Sequence, residues 1–217
     1  MNILITAGPT REHLDPIRFL SNRSTGKMGF AVAQAAAERG HRVTLIAGPV
    51  SLTTPPGVTR IDVISAREML AAVQQALPEQ DALVMSAAVA DWRPARVAAT
   101  KLKKSEMAPV IQLEPNPDIL KTIAPLKGHC RFVGFAAETG DPTAEAQRKL
   151  TAKGLDMIVA NDVTAEGAGF AVDTNCVTLF TPDGQHQRLP LQSKLDVGRA
   201  IIEWLEKPEC WNTGMQE

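Results

Sequence analysis

The hydrophobic positions of this chain fall into short β-branched runs separated by stretches of helical spacing. Asn2 to Ala7 (NILITA) is an apolar run stopped by Gly8-Pro9, the pattern of a buried strand. Gly26 to Arg39 is Ala-rich with apolar residues at helical intervals, and Gly40 stands where a helix takes a left-handed C-terminal glycine. Arg42 to Ala47 (RVTLIA) repeats the strand signature and again stops at Gly-Pro. Thr59 to Ile64 predicts a third strand, Ala66 to Leu77 a helix, and Asp81 to Ala87 (DALVMSA) a fourth strand. Strands alternating with helices imply a parallel sheet with right-handed crossovers.

The middle of the chain breaks this rhythm. Arg93 to Glu114 carries Pro94, Pro109, Lys101, Lys103 and Lys104 with no clean period, which predicts an extended, partly mobile segment. Asn116-Pro117-Asp118-Ile119-Leu120 reads as a helix entry. Arg131 to Ala136 (RFVGFA) predicts a strand, Pro142 to Lys153 a helix, and Leu155 to Ala160 (LDMIVA) a further buried strand. Asn175 to Thr181 and Gln185 to Leu191 flank Pro182-Asp183-Gly184 as a hairpin. Ser193 to Leu205 predicts a last amphipathic helix capped by Ser193, and the tail from Lys207 reads as frayed. No internal repeat or linker divides the chain. The pattern predicts an α/β fold, a Rossmann-like, three-layer, doubly wound, mostly parallel sheet. One domain over residues 1–206 carries an appended β-hairpin and an extended segment, followed by a tail over 207–217.

Composition narrows the class further. The 217 residues are 44% hydrophobic and 22% charged, with a net charge of −1, an ordinary globular balance. Nothing in it points to nucleic-acid or anionic-membrane binding. No apolar run approaches the about 20 residues of a membrane span. The opening MNILITAGPTRE lacks a basic n-region and a cleavage site, so it reads as a strand rather than a signal peptide. Cys130, Cys176 and Cys210 are sparse and odd in number, which predicts reduced thiols and a cytoplasmic location. There is no Cys-x-x-Cys and no His pair at ligand spacing, so no structural zinc site is expected.

In open α/β sheets, ligands bind at the carboxyl ends of the strands. The loops there are GPTRE (Gly8 to Glu12), AGP (Ala47 to Pro49), SAAVADWRP (Ser86 to Pro94), FAAET (Phe135 to Thr139) and AND (Ala160 to Asp162). They are small and polar, as close backbone approach to a ligand requires. A nicotinamide dinucleotide would need Gly-x-Gly-x-x-Gly after the first strand and an acid ending the second. Gly8 and Gly26 are instead far apart, and the second strand ends in Ala47-Gly48-Pro49, so an NAD(P)-binding oxidoreductase stands as a fold-level alternative. Ser21 to Gly29 (SNRSTGKMG) looks like a phosphate loop with a part missing. Met28 follows Gly26-Lys27 where a Walker A loop has its metal-holding hydroxyl. Arg11, Arg18, Arg23 and Lys27 make the region basic, and Ser24, Thr25 and Gly26 read either as a plain helix cap or as an anion site. Asp91 is either a solvated loop acid or the carboxylate that orients a Mg²⁺-triphosphate. Lys101 and Lys103-Lys104 form either a charged edge or a mobile loop that closes over phosphates, and Asp118 is most simply a helix-start acid.

Taken together, these loops closely resemble phosphopantothenoylcysteine synthetase. The resemblance rests on ITAGPTRE (Ile5 to Glu12), SNRSTGKMG, SAAVADWRP, KLKK (Lys101 to Lys104), NPDIL (Asn116 to Leu120), VGFAAET (Val133 to Thr139) and AND, in that order. It implies a ligase of coenzyme A biosynthesis that joins 4′-phosphopantothenate to L-cysteine. CTP activates the acid as an acyl-cytidylate with loss of pyrophosphate, and the cysteine amine then displaces CMP. The family pattern implies that Ser24, Gly26, Met28 and Ala88 hold the substrate phosphate, which needs no metal hydroxyl and so accounts for Met28. It implies Asn22 as an amide donor at the acyl group and Lys101 as a mobile-loop cation.

The resemblance further implies that the nucleotide lies near Met85, Ser86, Ala87, Asp91, Pro117, Asp118, Ile119, Leu120 and Phe135, with Lys149 and Lys153 beside it, and Mg²⁺ at Asp91 with the phosphates. It implies a homodimer with a shared active site, for which the Arg93–Glu114 segment and the Asn175–Leu191 hairpin are the crossing candidates. Many bacteria fuse such a domain behind a flavin-dependent phosphopantothenoylcysteine decarboxylase. This chain starts at the first strand and is read either as an excised domain or as a free-standing enzyme. A non-catalytic dimerisation module is the remaining alternative.

Overall fold

A computed structural model of the chain describes residues 1–104, 110–138, 142–162 and 167–207. Strand β1 (Asn2–Ala7) is buried from Ile3 to Ala7, so its side chains meet packed protein on both faces of the sheet. That is the condition under which a parallel strand reads as an unbroken apolar run. After it come β2 (Arg11–His13), β3 (Phe19–Ser21), α1 (Lys27–Glu38), β4 (Arg42–Ala47), β5 (Val58–Asp62), α2 (Ala66–Ala76) and β6 (Ala82–Met85). The second half adds β7 (Trp92–Pro94), β8 (Leu113–Pro115), α3 (Ile119–Ile123), β9 (Arg131–Glu138), α4 (Thr143–Lys153), β10 (Met157–Asp162), β11 (Thr174–Phe180), β12 (His186–Ser193) and α5 (Lys194–Glu206).

The main sheet has eight strands in the order β12-β11-β10-β9-β6-β1-β4-β5. The run from β10 to β5 is parallel, and β11 and β12 continue it antiparallel. Helices α1 and α5 cover one face, over Ile3, Ile5, Val84 and Val159. Helices α2, α3 and α4 cover the other, over Leu4, Leu83, Phe132 and Ile158. The doubly wound sheet is therefore as the alternation of runs predicts. Among the described residues no helix is long and apolar enough to cross a membrane.

Helix α1 needs small residues because it lies against β1. A Cβ on Gly29 would sit 2.5 Å from Ala7 Cβ and 2.9 Å from the Thr6 carbonyl oxygen. One turn further on, α5 closes onto α1 at Gly198, where a Cβ would come within 2.9 Å of the Ala31 carbonyl oxygen. The helix ends as expected at Gly40 (φ 80°), whose amide and that of His41 return to the carbonyls of Ala37 and Ala36. Its start differs from a plain Ser/Thr cap. Gly26 is the N-cap, in the left-handed region at φ 79°, with no side-chain cap. Asp118 and Ser193 do cap α3 and α5, accepting from the amides of Lys121 and Asp196.

Two expectations change. The Asn175–Leu191 hairpin is no appendage; as β11 and β12 it is part of the main sheet. Its alternate apolar positions Val177, Leu179 and Leu189 pack in the α1/α5 core, and their polar neighbours face outward. The Arg93–Glu114 segment contains β7 and the start of β8, which pair antiparallel, while β2 and β3 form a second small ribbon. Both ribbons are too short and too polar to stand out from loops. The part of that segment over 105–109, Thr139, Cys210 and the tail from 208 lie outside the described residues. Cys130 is buried and its thiol is pushed up to about 12 by burial, as an inert reduced cysteine should be.

The buried Asp15 ties the Lys101 region to this frame. Its carboxylate accepts from the amides of Ile17, Arg18 and Leu102 and from the Arg18 guanidinium, which also donates to the Leu102 carbonyl at 2.8 Å. The Arg18 contact, reinforced by those amides, holds the Asp15 carboxyl well below the usual carboxylate range despite its burial. A depressed folded pKa means the contribution is complete above the unfolded value near ~4 and fades as pH falls toward the folded one.

Two outcomes follow from this packing. Gly198→Val should lower stability by about 1–3 kcal/mol in urea or thermal unfolding, because backbone rather than a flexible side chain must move. Asp15→Asn should speed trypsin cleavage after Lys101 and Lys103 at neutral pH, and equal cleavage of both proteins would show that the tether holds nothing.

Candidate active site

Strand order reverses between β1 and β6. From β1 the chain proceeds to β4 and β5 on one side, and from β6 to β9 and β10 on the other. Such a switch point leaves a crevice beyond the carboxyl ends of the strands. Here it is a cleft of about 660 Å³.

The floor is built by backbone contact. Gly8 and Gly26 both have positive φ, and a Cβ on Gly26 would lie 3.4 Å from Gly8 N and Cα and 3.1 Å from Val50 Cγ1. The two glycines that stand far apart in sequence therefore meet face to face and bring the start of α1 to the end of β1. Lys27, Met28 and Gly29 line the cleft as the first helical residues, whose amides have no acceptor within the helix. The Gly26 amide takes Ser24 Oγ at 3.3 Å.

Neutral hydrogen bonds lock the next loop beside it. Thr6 Oγ1 accepts from the Ala87 amide at 3.2 Å and Thr10 Oγ1 from the Ala90 amide at 3.0 Å. The Ala88 amide donates to the Gly8 carbonyl and the Thr10 amide to the Ala88 carbonyl. Asn22 joins the two walls, its Nδ2 donating to the carbonyls of Ala88 (3.1 Å) and Val89 (3.2 Å). Both amide hydrogens are thereby engaged, so Asn22 offers a ligand the acceptor Oδ1 in place of the amide donor that the resemblance implies. Asn116 extends the lattice, with Nδ2 on the Ala90 carbonyl at 2.8 Å and its amide on the Asp91 carbonyl.

The two ends of the cleft are both cationic. On the α3/α4 side, Lys149 and Lys153 share a face of α4, as their spacing predicts. Lys153 Nζ lies 3.2 Å from Asp118 and Lys149 Nζ 3.3 Å from Glu145. The Arg148 guanidinium, with Lys149, keeps the Glu145 carboxyl down at about 2. Asp118 thus caps α3 and anchors Lys153 at once. On the α1/α5 side, Lys27 Nζ meets Asp173 Oδ1 at 2.7 Å and the Ala171 carbonyl at 2.8 Å, and Thr25 Oγ1 donates to the Phe170 carbonyl. Lys194 Nζ donates to the carbonyls of Gly169 and Val172. Burial, and then Lys27 close by, lower the pKa of Lys194, with Asp173 opposing.

The residues expected at the site converge with one exception. Asn22, Ser24, Gly26 and Met28, then Met85, Ser86, Ala87, Ala88 and Asp91, line the cleft. So do Pro117, Asp118, Ile119, Leu120, Phe135, Lys149 and Lys153. Lys101 does not; it is exposed, beside the Leu102 backbone that Asp15 and Arg18 hold on the β2/β3 ribbon. Asn161, from the AND loop, lines the cleft as well, and so do Phe170, Asn175 and Lys194, which the sequence did not single out as site residues. For Lys194 the one signal was a lysine at a helix start, where positive charge is disfavoured. Among the described residues no cluster of three His, Cys, Asp or Glu stands ready for a metal.

Residues 1–208 match the model of the DNA/pantothenate metabolism flavoprotein C-terminal domain. The coenzyme A biosynthesis bifunctional protein CoaBC of Bacillus subtilis is 50% identical over 203 residues, 93% of this chain and 50% of that protein. The chain spans about half the length of the curated relatives it matches. A crystal structure of the C-terminal domain of a coenzyme A biosynthesis bifunctional protein CoaBC superposes with a TM-score of 0.81 at 43% identity, covering 94% of this chain and 93% of that one. The fold is also that of a Cab2 mutant in complex with phosphopantothenate-cysteine, at TM-score 0.73 and 17% identity over 94% of this chain and 84% of that one. By the match along nearly its whole length, the chain belongs to the DNA/pantothenate metabolism flavoprotein C-terminal domain family.

Proposed function

We propose that the cleft is the active site of a ligase of coenzyme A biosynthesis, joining 4′-phosphopantothenate to L-cysteine at the cost of CTP. The observation that carries this reading is the convergence of loops far apart in sequence, the Asn22 loop, the Ser86–Asp91 loop and the Asn116–Leu120 turn, on one cleft with cations at both ends. The CoaBC relatives and the phosphopantothenate-cysteine complex of a protein with the same fold support the same chemistry.

A carboxylate is a poor electrophile until one of its oxygens becomes a leaving group. Here the acid's oxygen attacks the α-phosphorus of CTP, the P–O bond to pyrophosphate breaks, and an acyl-cytidylate forms. The cysteine amine then attacks the acyl carbon, the C–O bond to CMP breaks, and the amine proton is lost. Both substrates are anions, so positioning and charge stabilisation carry the catalysis. Lys149 and Lys153 suit the triphosphate, and the opening turn of α1 with Ser24 suits the phosphate of the acid. Asn22, rigidly held between two walls, presents an uncharged oxygen at the centre, where it can accept a hydrogen from the attacking amine. Asp91 supplies one carboxylate, which together with nucleotide phosphates is the donor set Mg²⁺ ordinarily takes. When bound there, the ion would neutralise triphosphate charge. Lys101, which lies outside the cleft of its own chain, belongs to the segment expected to cross to a second copy, and it is proposed as the cation that segment supplies.

A second copy of the chain is the proposed cover for the ribbons. Ile17 (59% exposed), Trp92 (54%), Val97 (62%) and Val110 (73%) are apolar side chains open to solvent on β2/β3 and the β7/β8 segment. Exposed apolar patches of this kind mark interaction surfaces.

Four measurements test these readings. Pyrophosphate release should require both CTP and 4′-phosphopantothenate, with CMP appearing once cysteine is added; no release with CTP or ATP from folded protein would end the ligase reading. Lys101→Gln should cut turnover about 100-fold with an unchanged melting temperature, and Asn22→Asp should leave acyl-cytidylate that mass spectrometry detects before cysteine consumes it. Light scattering should give twice the 23.3 kDa chain mass, and Val97→Glu with Val110→Glu should return it to the single-chain value.

A further inference from the structure

Lys194 is buried to 6% exposure, yet no carboxylate among the described residues lies within ion-pair distance of it. The other buried charges are accounted for: Asp15 by Arg18, and Glu12 by the Ala66 amide that opens α2. An ammonium carries three hydrogens, and two of them go to the carbonyls of Gly169 and Val172. A buried charge held by neutral acceptors alone is costly. Its place makes the cost larger. Lys194 is the first residue of α5, and Lys27 is the first residue of α1. The two helices touch at Gly198 and Ala31, one turn beyond these lysines, so their positive ends and their two ammonium groups lie side by side. Asp173 is taken by Lys27.

We infer that Lys194 is a phosphate-recognition residue, its ammonium binding the phosphomonoester dianion of the acid substrate together with the opening amides of α1. A dianion there would be met by Lys194, Lys27 and the α1 amides at once and would relieve the repulsion between the two lysines. Lys149 and Lys153 lie on α4, on the opposite face of the sheet, so the nucleotide has its own cations and does not need Lys194. Naming the acid as 4′-phosphopantothenate rests on the ligase reading; the anion site does not.

The test compares the parent protein with Lys194→Met, which keeps the length of the side chain and removes its charge. Inorganic phosphate, against chloride at equal ionic strength, should raise the melting temperature of the parent and leave that of Lys194→Met nearly unmoved, while the rise produced by CTP stays the same in both. In turnover, the KM for 4′-phosphopantothenate should rise at least about tenfold, the size of one lost charge-assisted contact, with the KM for CTP unchanged. If Lys194 merely props the Gly169–Val172 loop, the phosphate increment survives the substitution, or both KM values rise together; either result overturns the inference. Lys194→Arg, which restores the charge, should recover most of the phosphate increment, and it serves as the measured variant should the Met protein fail to fold. A parent that binds phosphate through Lys194 but releases no pyrophosphate would sink the ligase reading and leave the site standing.

Discussion

The contact between the Gly8 and Gly26 backbones is the constraint on which the site depends. It holds the first turn of α1 against the end of β1, and Gly29 lets the helix continue along the strand without a side chain between them. A Cβ at Gly29 would meet backbone, so the helix would have to lift and its free amides would leave the cleft, while at Gly8 and Gly26 the positive φ itself strains any other residue. Gly48 repeats the theme on the neighbouring strand, where a Cβ would fall 1.9 Å from the Pro9 carbonyl oxygen. A site proposed to bring a polyanion and an anionic acid together is thus built first from close backbone approach, which only glycine permits.

The second layer is neutral. Thr6, Thr10, Asn22 and Asn116 cross-link the loops through hydrogen bonds to backbone groups, with little net charge in the centre of the cleft. Charge is kept for the two ends, Lys149 and Lys153 on α4, and Lys27 and Lys194 where α1 and α5 begin. This separation suits two anionic ligands. In the proposed reaction each end would neutralise its own ligand, and the reacting atoms would meet in between among amides and hydroxyls whose orientation is already fixed. Preorganised dipoles of that kind stabilise developing charge without having to reorganise.

The peripheral ribbons serve another purpose. They carry exposed apolar residues, and one of them holds the backbone at Leu102 through Asp15 and Arg18. The position of Lys101 is therefore coupled to the surface proposed for a second copy. In the proposed dimer, assembly and the approach of a cationic loop would share one structural element.

Much of this was legible in the chain alone. The β-branched runs of β1, β4, β6 and β10 and the Ala-rich α1 fix strand, helix and parallel order, because burial on both faces demands continuous apolar sequence. Ser193, Asp118 and Gly40 mark helix ends through local chemistry that needs no tertiary partner. The loop motifs likewise named nearly every residue that lines the cleft. What sequence could not decide depends on distance across the fold. Gly8 and Gly26 read as a broken dinucleotide motif until the sheet brings them into contact. The β11/β12 hairpin reads as an appendage, because alternation reports one buried face but not which core receives it. Nothing in the sequence singles out Lys194 on its amphipathic helix; its burial comes from the loop that folds over it and from α1 beside it. Lys101 reads as a site residue, yet its resting place is set by a carboxylate eighty-six positions earlier. Local pattern determines which elements form, and long-range packing alone determines which charges are left buried, neighbouring and in need of a ligand.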